Sequence, residues 1–314
     1  MNMVKPRVAI TGVAGFIGSN LADRLLGEGY TVVGIDNLSY GIRQQIPKGV
    51  QFYQEDVRSP TVHKLIHEGD IVFHLAAKNC ISDCQADPVE TALVNVAGTV
   101  NIFEAARRAG AQKVIYAESS ALYEGSRLFP TPEGEIHPES FYAVSKLAGS
   151  AFAGAYERFY HMRMTGLRYF CVYGPHQDYR RTIPPVMSAF ILKLLRGERP
   201  LIYGSGEKRR DFVHVDDVNA FHLLCLTDTR TDGRAFNLGG GVSYSVNDIY
   251  ARIAAILKTD IVPIYRPDLP GEAQETLADI SAAQALGWHP TVALDEGLRG
   301  LVAYYRATGI PRQE

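Results

Sequence analysis

Thr11-Gly12-Val13-Ala14-Gly15-Phe16-Ile17-Gly18 follows the apolar run Val8-Ala9-Ile10 and leads into a helical pattern from Ser19 to Leu26. The glycines at 12, 15 and 18 serve three ends: a tight turn, close approach of backbone to a pyrophosphate, and close packing of helix on strand. The helix N-terminus offers unpaired N–H groups and the positive end of its dipole to phosphate oxygens. A second apolar run, Thr31 to Ile35, ends in Asp36. Strand, glycine loop, helix, strand and acid in this order predict a dinucleotide cradle built by Gly12, Gly15, Phe16, Ile17 and Gly18.

Asp36 refines that reading. A carboxylate there accepts hydrogen bonds from ribose hydroxyls and repels a 2′-phosphate, so NAD is expected in preference to NADP. Asn37 is neutral and no arginine follows directly. Asp56-Val57 closes a third βα unit. Its acid could take the exocyclic amino group of adenine, or could cap a helix.

Further out, Ile71 to Leu75 and Val114 to Tyr116 are apolar runs, and Ala92 to Ala109 reads as a helix. Continuous apolar strands alternating with helices indicate a parallel sheet covered on both faces. The second half carries Gly-rich and Pro-rich turns at Tyr173-Gly174-Pro175, Pro184-Pro185, Gly204-Ser205-Gly206, Gly239-Gly240-Gly241 and Pro267 to Pro270. The expected fold is α/β: a Rossmann-type doubly wound parallel sheet with a smaller, interleaved α/β substrate lobe. Residues 1–170, with a return near 213–238, are expected to hold the dinucleotide. Residues 171–212 and 239–314 are expected to form the smaller lobe.

The chain has 314 residues, with 46% hydrophobic and 21% charged, in line with a globular protein. A net charge of −2 argues against nucleic acid as a partner. The cluster Lys208-Arg209-Arg210, followed by Asp211, looks like a small-anion site. Four cysteines, Cys80, Cys84, Cys171 and Cys225, are too scattered for a disulfide framework. No second Cys/His pair accompanies Cys80 and Cys84 at ligand spacing, so no metal is expected. Reduced thiols, the absence of a signal-peptide pattern and the absence of a run of about 18 apolar residues point to a cytoplasmic protein without a membrane span. The segment Ala143 to Tyr160 reads as a helix with Ala, Gly and Ser all round it, beside Phe152, Tyr156 and Phe159. Such a helix needs two coverings, its own sheet and another subunit, so a homodimer is expected.

Tyr142-Ala143-Val144-Ser145-Lys146 places a phenol and an ammonium on one helical face. An ammonium and a positive nicotinamide ring both favour phenolate, which lets the tyrosine accept a hydroxyl proton near neutral pH. Ser119-Ser120 at a strand end supplies a hydroxyl that can hydrogen-bond the reacting oxygen. Tyr142, Lys146 and this serine pair are the candidate catalytic residues.

Together these motifs resemble the extended short-chain dehydrogenases/reductases, and specifically the NAD-dependent nucleoside-diphosphate-sugar 4-epimerases typified by UDP-glucose (UDP-galactose) 4-epimerase. The resemblance runs nearly end to end. It includes Thr11 to Gly18, Asp36 to Gly41, His74-Leu75-Ala76-Ala77, Asn95 to Thr99, Tyr142 to Lys146, Leu167 to Phe170, Val172 to Pro175, Ile202 to Glu207, Arg210 to Asp217 and Leu286-Gly287-Trp288. It implies that Tyr142 takes the proton of the sugar 4-hydroxyl while hydride passes from C4 to NAD. The 4-keto sugar then rotates and hydride returns to its other face. Ser120 would steady the 4-oxygen, and Lys146 would hold the nicotinamide ribose. It also implies cofactor contacts from Leu38, Ser39, Gly41, Leu75, Ala76, Ala77, Asn95 and Tyr169. The implied contacts to a UDP-sugar come from Cys171, Val186, Tyr203 (packing on uracil), Arg210 (pairing with the diphosphate), Arg266 and Thr276.

Three departures stand out. Cys171 stands where many 4-epimerases have Asn. Leu269 precedes Pro270-Gly271-Glu272 where many have Arg, and Arg266 is the nearby basic alternative. The segment Ser119 to Gly125 is one residue longer than the family's usual spacing. Ala121-Leu122 stands where the family's 4,6-dehydratases carry Asp-Glu and its decarboxylases keep Glu at the second position, and this argues against both reactions. A UDP-glucuronate 4-epimerase tolerates a small polar residue at the Cys171 position and is the closest rival. A non-catalytic NAD-sensing scaffold is the rival from another class, although such proteins typically lose the Tyr or the Lys. Thr276 in place of a large tyrosine implies a pocket with room for an N-acetyl group, unless Arg266 or Leu269 closes it.

Overall fold

The computed structural model describes residues 5–181, 183–268 and 273–309. In chain order its strands are β1 (Val8–Thr11), β2 (Val32–Asp36), β3 (Gln51–Gln54), β4 (Ile71–His74), β5 (Lys113–Ser119), β6 (Met164–Tyr169), β7 (Cys171–Tyr173), β8 (Leu201–Tyr203), β9 (Arg209–His214), β10 (Arg234–Leu238), β11 (Ser243–Ser245) and β12 (Ile264–Arg266). Its helices are α1 (Phe16–Gly27), α2 (Ile81–Ala86), α3 (Pro88–Ala92), α4 (Thr99–Ala109), α5 (Phe141–Tyr160), α6 (Val186–Leu195), α7 (Val215–Thr227), α8 (Val246–Leu257), α9 (Ser281–Gln284) and α10 (Leu294–Thr308).

Seven strands form one sheet in the order β10-β6-β5-β4-β1-β2-β3, every pair parallel. The expected Rossmann-type doubly wound sheet is therefore present. Alternate side chains of each strand enter opposite cores, as the pleat requires. Val8, Ile10, Ile71, Phe73 and Ile115 join Leu21, Leu25 and Phe221 of α1 and α7 on one face. Ala9, Val33, Val72, Val114 and Tyr116 join Ile102, Phe103, Ala153 and Tyr156 of α4 and α5 on the other. From β1 the chain builds β2 and β3 on one side, then crosses to build β4, β5, β6 and β10 on the other. The crevice beyond the C-terminal ends of β1 and β4 is the switch point at which ligands bind in such sheets.

A directed chain of hydrogen bonds ties β1 and β4 to α4 beside that crevice. Thr99 Oγ1 donates to the Asn95 carbonyl at 2.7 Å, so it accepts from His74 Nε2 at 2.9 Å. His74 Nδ1 is then the acceptor of the Thr11 hydroxyl at 2.7 Å. Burial pulls His74 down to about 3, so the ring stays neutral.

The remaining strands form two small sheets, β11-β9-β7 and β12-β8. A third core, with Tyr173, Met187, Phe190, Ile249, Ile253, Leu298, Leu301 and Tyr305, joins α6, α8 and α10 beside them. The helix expected over Ala92 to Ala109 is not continuous. α3 gives way to a π-helical turn over Leu93–Gly98 before α4 begins. The wide turn lets Asn95 reach inward to the backbone of Lys78, with Oδ1 accepting from its N–H and Nδ2 donating to its carbonyl, both at 2.8 Å. Among the described residues no helix is long and apolar enough to cross a membrane.

Candidate active site and dinucleotide cleft

The glycine loop behaves as its spacing demands. Gly12 has φ of 75°, and a Cβ there would stand 2.8 Å from the Ala76 nitrogen. A Cβ on Gly18 would stand 2.2 Å from the Gly12 carbonyl oxygen, so any larger residue would push α1 off β1. Gly15 is the N-cap of α1 and provides no side-chain cap, which leaves the first-turn N–H groups facing the cleft.

Asp36, buried at the end of β2, accepts from the Ala14 N–H at 3.0 Å and the Leu38 N–H at 2.7 Å. A carboxylate has about four acceptor sites, so two remain for a ribose diol. Burial pushes its carboxyl up, against those two backbone bonds. Leu38 does not line the cleft. Its left-handed backbone (φ 62°) turns its N–H onto Asp36. Asp56 is no helix cap, because Ser59 caps the turn that follows. Its carboxylate accepts from Asn37 Nδ2 at 2.9 Å and from Arg58 at 2.8 Å, and the Arg58 guanidinium holds it well below the usual carboxylate range.

One continuous cavity of about 1160 Å³ runs from this loop into the smaller sheets. Its dinucleotide end is lined by Gly12, Gly15, Phe16, Ile17, Gly18, Asp36, Asn37, Ser39, Gly41, Asp56, Val57, Leu75, Ala76 and Ala77. Ser120, Tyr142, Lys146 and Tyr169 lie midway, and Cys171, Val186, Tyr203, Arg210 and Thr276 line the far end. Tyr169 is held by its hydroxyl on His222 Nε2 at 2.8 Å. The pleat splits the basic cluster: Lys208 and Arg210 line the cavity, while Arg209 turns to Ser243 and Glu275. Asn95 and Arg266 do not line it. Asn95 instead ties Lys78 to Ser145 of α5, to whose Oγ it donates at 3.0 Å, and Arg266 is exposed on β12. Thr276 faces the cavity, and its Oγ1 accepts from the Asp211 N–H at 3.2 Å. Leu269 lies outside the described residues.

Both serines of the Ser119-Ser120 pair line the cavity, and the one that acts on the phenol is Ser119. Ser119, the last residue of β5, stands beside the Tyr142 phenol and favours its ionisation, while its Oγ accepts from the Ala121 N–H at 3.1 Å. Ser120 lines the same cavity but begins the 3₁₀ turn, whose N-cap is Ser119. The one-residue shift follows from where β5 ends, which the apolar run alone did not show. Burial pushes the Tyr142 phenol up, while Ser119 pulls it down. Burial draws Lys146 down to about 8, opposed by the negative charge of Glu118. The expected pull of Lys146 on the phenol is outweighed, because the lysine reaches past it to the Ala117 carbonyl at 3.0 Å. Glu118 is itself neutralised by Arg168 at 2.6 Å, both buried, and accepts from Ser150 Oγ at 2.6 Å. Ser119, Glu118, Lys78, Gln177 and Arg181 line the cavity without having been singled out from the sequence. Only Ser119 stood inside a recognised motif.

These residues fit a dinucleotide: a backbone cradle that a Cβ would fill, a free helix N-terminus and a buried acid at the second strand. Comparison with known proteins agrees. Residues 8–239 match the model of the NAD dependent epimerase/dehydratase family. The chain is 35% identical over 311 residues to a UDP-glucose 4-epimerase of Mycolicibacterium smegmatis, covering 96% of this chain and 98% of that one. The solved UDP-glucose 4-epimerase of Thermotoga maritima with UDP-glucose superposes with a TM-score of 0.92 at 34% identity, over 96% of this chain and 99% of that one. The UDP-N-acetylglucosamine 4-epimerase of Methanobrevibacter ruminantium, in complex with UDP-N-acetylmuramic acid, gives 0.93 at 31%, over 98% and 100%. The glycine cradle, the Tyr142–Ser119 contact and these likenesses agree: the chain belongs to the NAD dependent epimerase/dehydratase family, and its cofactor is NAD.

Proposed function

We propose that this chain is a UDP-sugar 4-epimerase that interconverts UDP-glucose and UDP-galactose and also accepts their N-acetylated forms. The observation that carries this is the single cavity in which Tyr142, Ser119 and Lys146 stand between the glycine loop and the residues around Tyr203, Arg210 and Thr276. Residues 1–170 with 213–238 would hold NAD, and 171–212 with 239–314 the sugar nucleotide. Gly12 to Gly18, Asp36 and Leu75 to Ala77 would bind the cofactor, which takes hydride from C4 of the sugar and returns it to the opposite face. Tyr142 would accept and return the 4-hydroxyl proton. Ser119 rather than Ser120 would orient that oxygen, because Ser119 already partners the phenol. Lys146 would supply positive charge beneath the tyrosine. Tyr203 would pack on the base and Arg210 would neutralise the diphosphate.

Dehydration and decarboxylation fit less well. Ala121 lines the cavity and Leu122 is buried in the core, so neither offers an acid. Of the acids nearby, Glu118 is paired with Arg168, and Glu124 accepts from the start of α5. UDP-glucuronate 4-epimerisation is the second reading. Arg181 lines the cavity, and its charge bears on the Tyr142 hydroxyl, where it could meet a sugar carboxylate. The exposed apolar side of α5 supports a homodimer, and four cysteines that form no disulfide suit the cytoplasm.

The test is a panel of UDP-glucose, UDP-galactose, their N-acetylated forms and UDP-glucuronate, with products read by NMR, for wild type and Thr276→Tyr. Wild type should turn over both neutral pairs, and the tyrosine should lower kcat/KM for the N-acetylated pair by about tenfold or more relative to the other. No turnover of the N-acetylated sugars, or an unchanged ratio, rejects this view of the pocket. Turnover of UDP-glucuronate alone selects the second reading.

A further inference from the structure

Ser119 and Tyr142 reach the cavity from different segments, the end of β5 and the first turn of α5. Their relative position therefore depends on what ties those segments together. Two backbone bonds begin the tie: His137 N–H to the Leu122 carbonyl at 2.7 Å and Gly125 N–H to the His137 carbonyl at 2.9 Å. Gly125 lets the segments approach, since a Cβ there would stand 2.8 Å from Glu139 Oε1 and 3.2 Å from His137 Cβ. Glu124 completes it. One carboxylate oxygen accepts from the N–H groups of Glu139 at 3.2 Å and Ser140 at 2.7 Å. The other accepts from the Ser140 hydroxyl at 2.8 Å. Ser140 is the N-cap of α5, and its Oγ accepts in turn from the Ala143 N–H at 3.1 Å.

We propose that Glu124 is a positioning residue for the Ser119–Tyr142 pair, clamping the N-cap of the helix that carries the tyrosine to the turn that follows the serine. The inference rests on the reading of Tyr142 as the proton acceptor. A carboxylate also suits this place, because a helix N-terminus favours negative charge. Glu124 lines the cavity as well, and its charge opposes ionisation of the phenol. The groups facing the Tyr142 hydroxyl are Ser119 and Arg181, which favour phenolate, and Cys84 and Glu124, which oppose it. Lys146 stands 5.9 Å from the ring centre. Removing the charge of Glu124 while keeping an acceptor for the two N–H groups should therefore move phenol ionisation to lower pH.

The experiment compares wild type, Glu124→Gln and Glu124→Ala as NAD-loaded protein. It measures kcat and KM for a UDP-sugar, and phenolate absorbance against pH after subtraction of the matching Tyr142→Phe background. Glutamine keeps an oxygen for the two N–H groups, whereas alanine keeps nothing. Glu124→Ala should lose about tenfold or more in kcat with KM nearly unchanged, as expected for a misplaced reacting pair, and Glu124→Gln should recover most of it. The phenolate midpoint should fall in Glu124→Gln. A kcat near wild type in the alanine variant, glutamine as slow as alanine, or an unmoved midpoint in the glutamine variant would each overturn the proposal. The absorbance titration needs no substrate. If wild type turns over none of the UDP-sugars, the 4-epimerase reading fails, and the titration still reads whether Glu124 acts on Tyr142.

Discussion

The Lys146 ammonium donates to the Ala117 carbonyl at 3.0 Å and lies 5.9 Å from the centre of the Tyr142 ring. The two side chains share a helical face, yet the lysine spends its hydrogen bond on β5. Burial raises the Tyr142 phenol. Ser119 and Arg181 favour its ionisation, and Cys84 and Glu124 oppose it.

Tyr142→Phe removes one oxygen from a partly buried ring that lines the cavity and should leave the packing intact. Turnover should fall on the order of 10²–10⁴-fold or further, the range of a lost general acid/base, with bound NAD nearly unchanged. Steady-state rates and cofactor content after denaturation test this. Activity within a few-fold of wild type rejects Tyr142 as the proton acceptor. Ser119→Ala should cost more activity than Ser120→Ala.

Lys146→Met should abolish activity while stabilising the protein at neutral pH. Burial lowers Lys146 from 10.5 to about 8, which corresponds to about 3 kcal/mol of charge burial. Losing the donor to the Ala117 carbonyl returns about 1–3 kcal/mol of that. The net gain should raise Tm by about 2–4 °C. Below the folded value both states of wild type carry the proton, so the penalty is full. Between that value and the unfolded one the unfolded chain binds the proton and the folded chain does not, so wild-type stability rises with pH and the variant's advantage fades. Calorimetry at several pH values reads this directly. A variant less stable at neutral pH, or an advantage that grows with pH, contradicts it.

NAD should bind in preference to NADP. The buried Asp36 carboxylate faces the ribose end of the cleft, and a 2′-phosphate there would meet like charge at a cost of about 1–4 kcal/mol. Asp36→Ala should narrow the ratio between the two affinities. Titration of protein stripped of cofactor gives both constants, and equal binding by wild type would count against the assignment of Asp36.

A dimer should form through α5. Val144 is 51% exposed, Phe152 41% and Phe159 70%, on the same helix whose other side covers the sheet. Apolar side chains so placed gain by meeting their own copies across a two-fold axis. Light scattering should give the mass of two chains for wild type and of one for Val144→Glu combined with Phe152→Glu. A monomeric wild type at micromolar concentration removes the idea.

The sequence by itself determined the features that depend on local spacing. Glycines at 12, 15 and 18 fix the approach of α1 to β1, since any Cβ at 18 collides with Gly12. Apolar runs that switch faces every residue specify a sheet buried on both sides. Helical spacing alone puts Tyr142 and Lys146 on one face of α5, and both line the cavity. Tertiary structure decided what depends on partners distant in sequence. Ser119 rather than Ser120 meets the phenol because β5 extends as far as residue 119, where its last register pair is with Tyr169 of β6. The helix expected through Asn95 opens into a π turn because the Asn95 amide finds the Lys78 backbone, a contact no local periodicity encodes. Glu124 reads in the sequence as one acid in a turn. It becomes a clamp only when the fold delivers the free N–H groups of Glu139 and Ser140 to its carboxylate, because a hydrogen bond needs both partners in place and only the folded chain supplies the second.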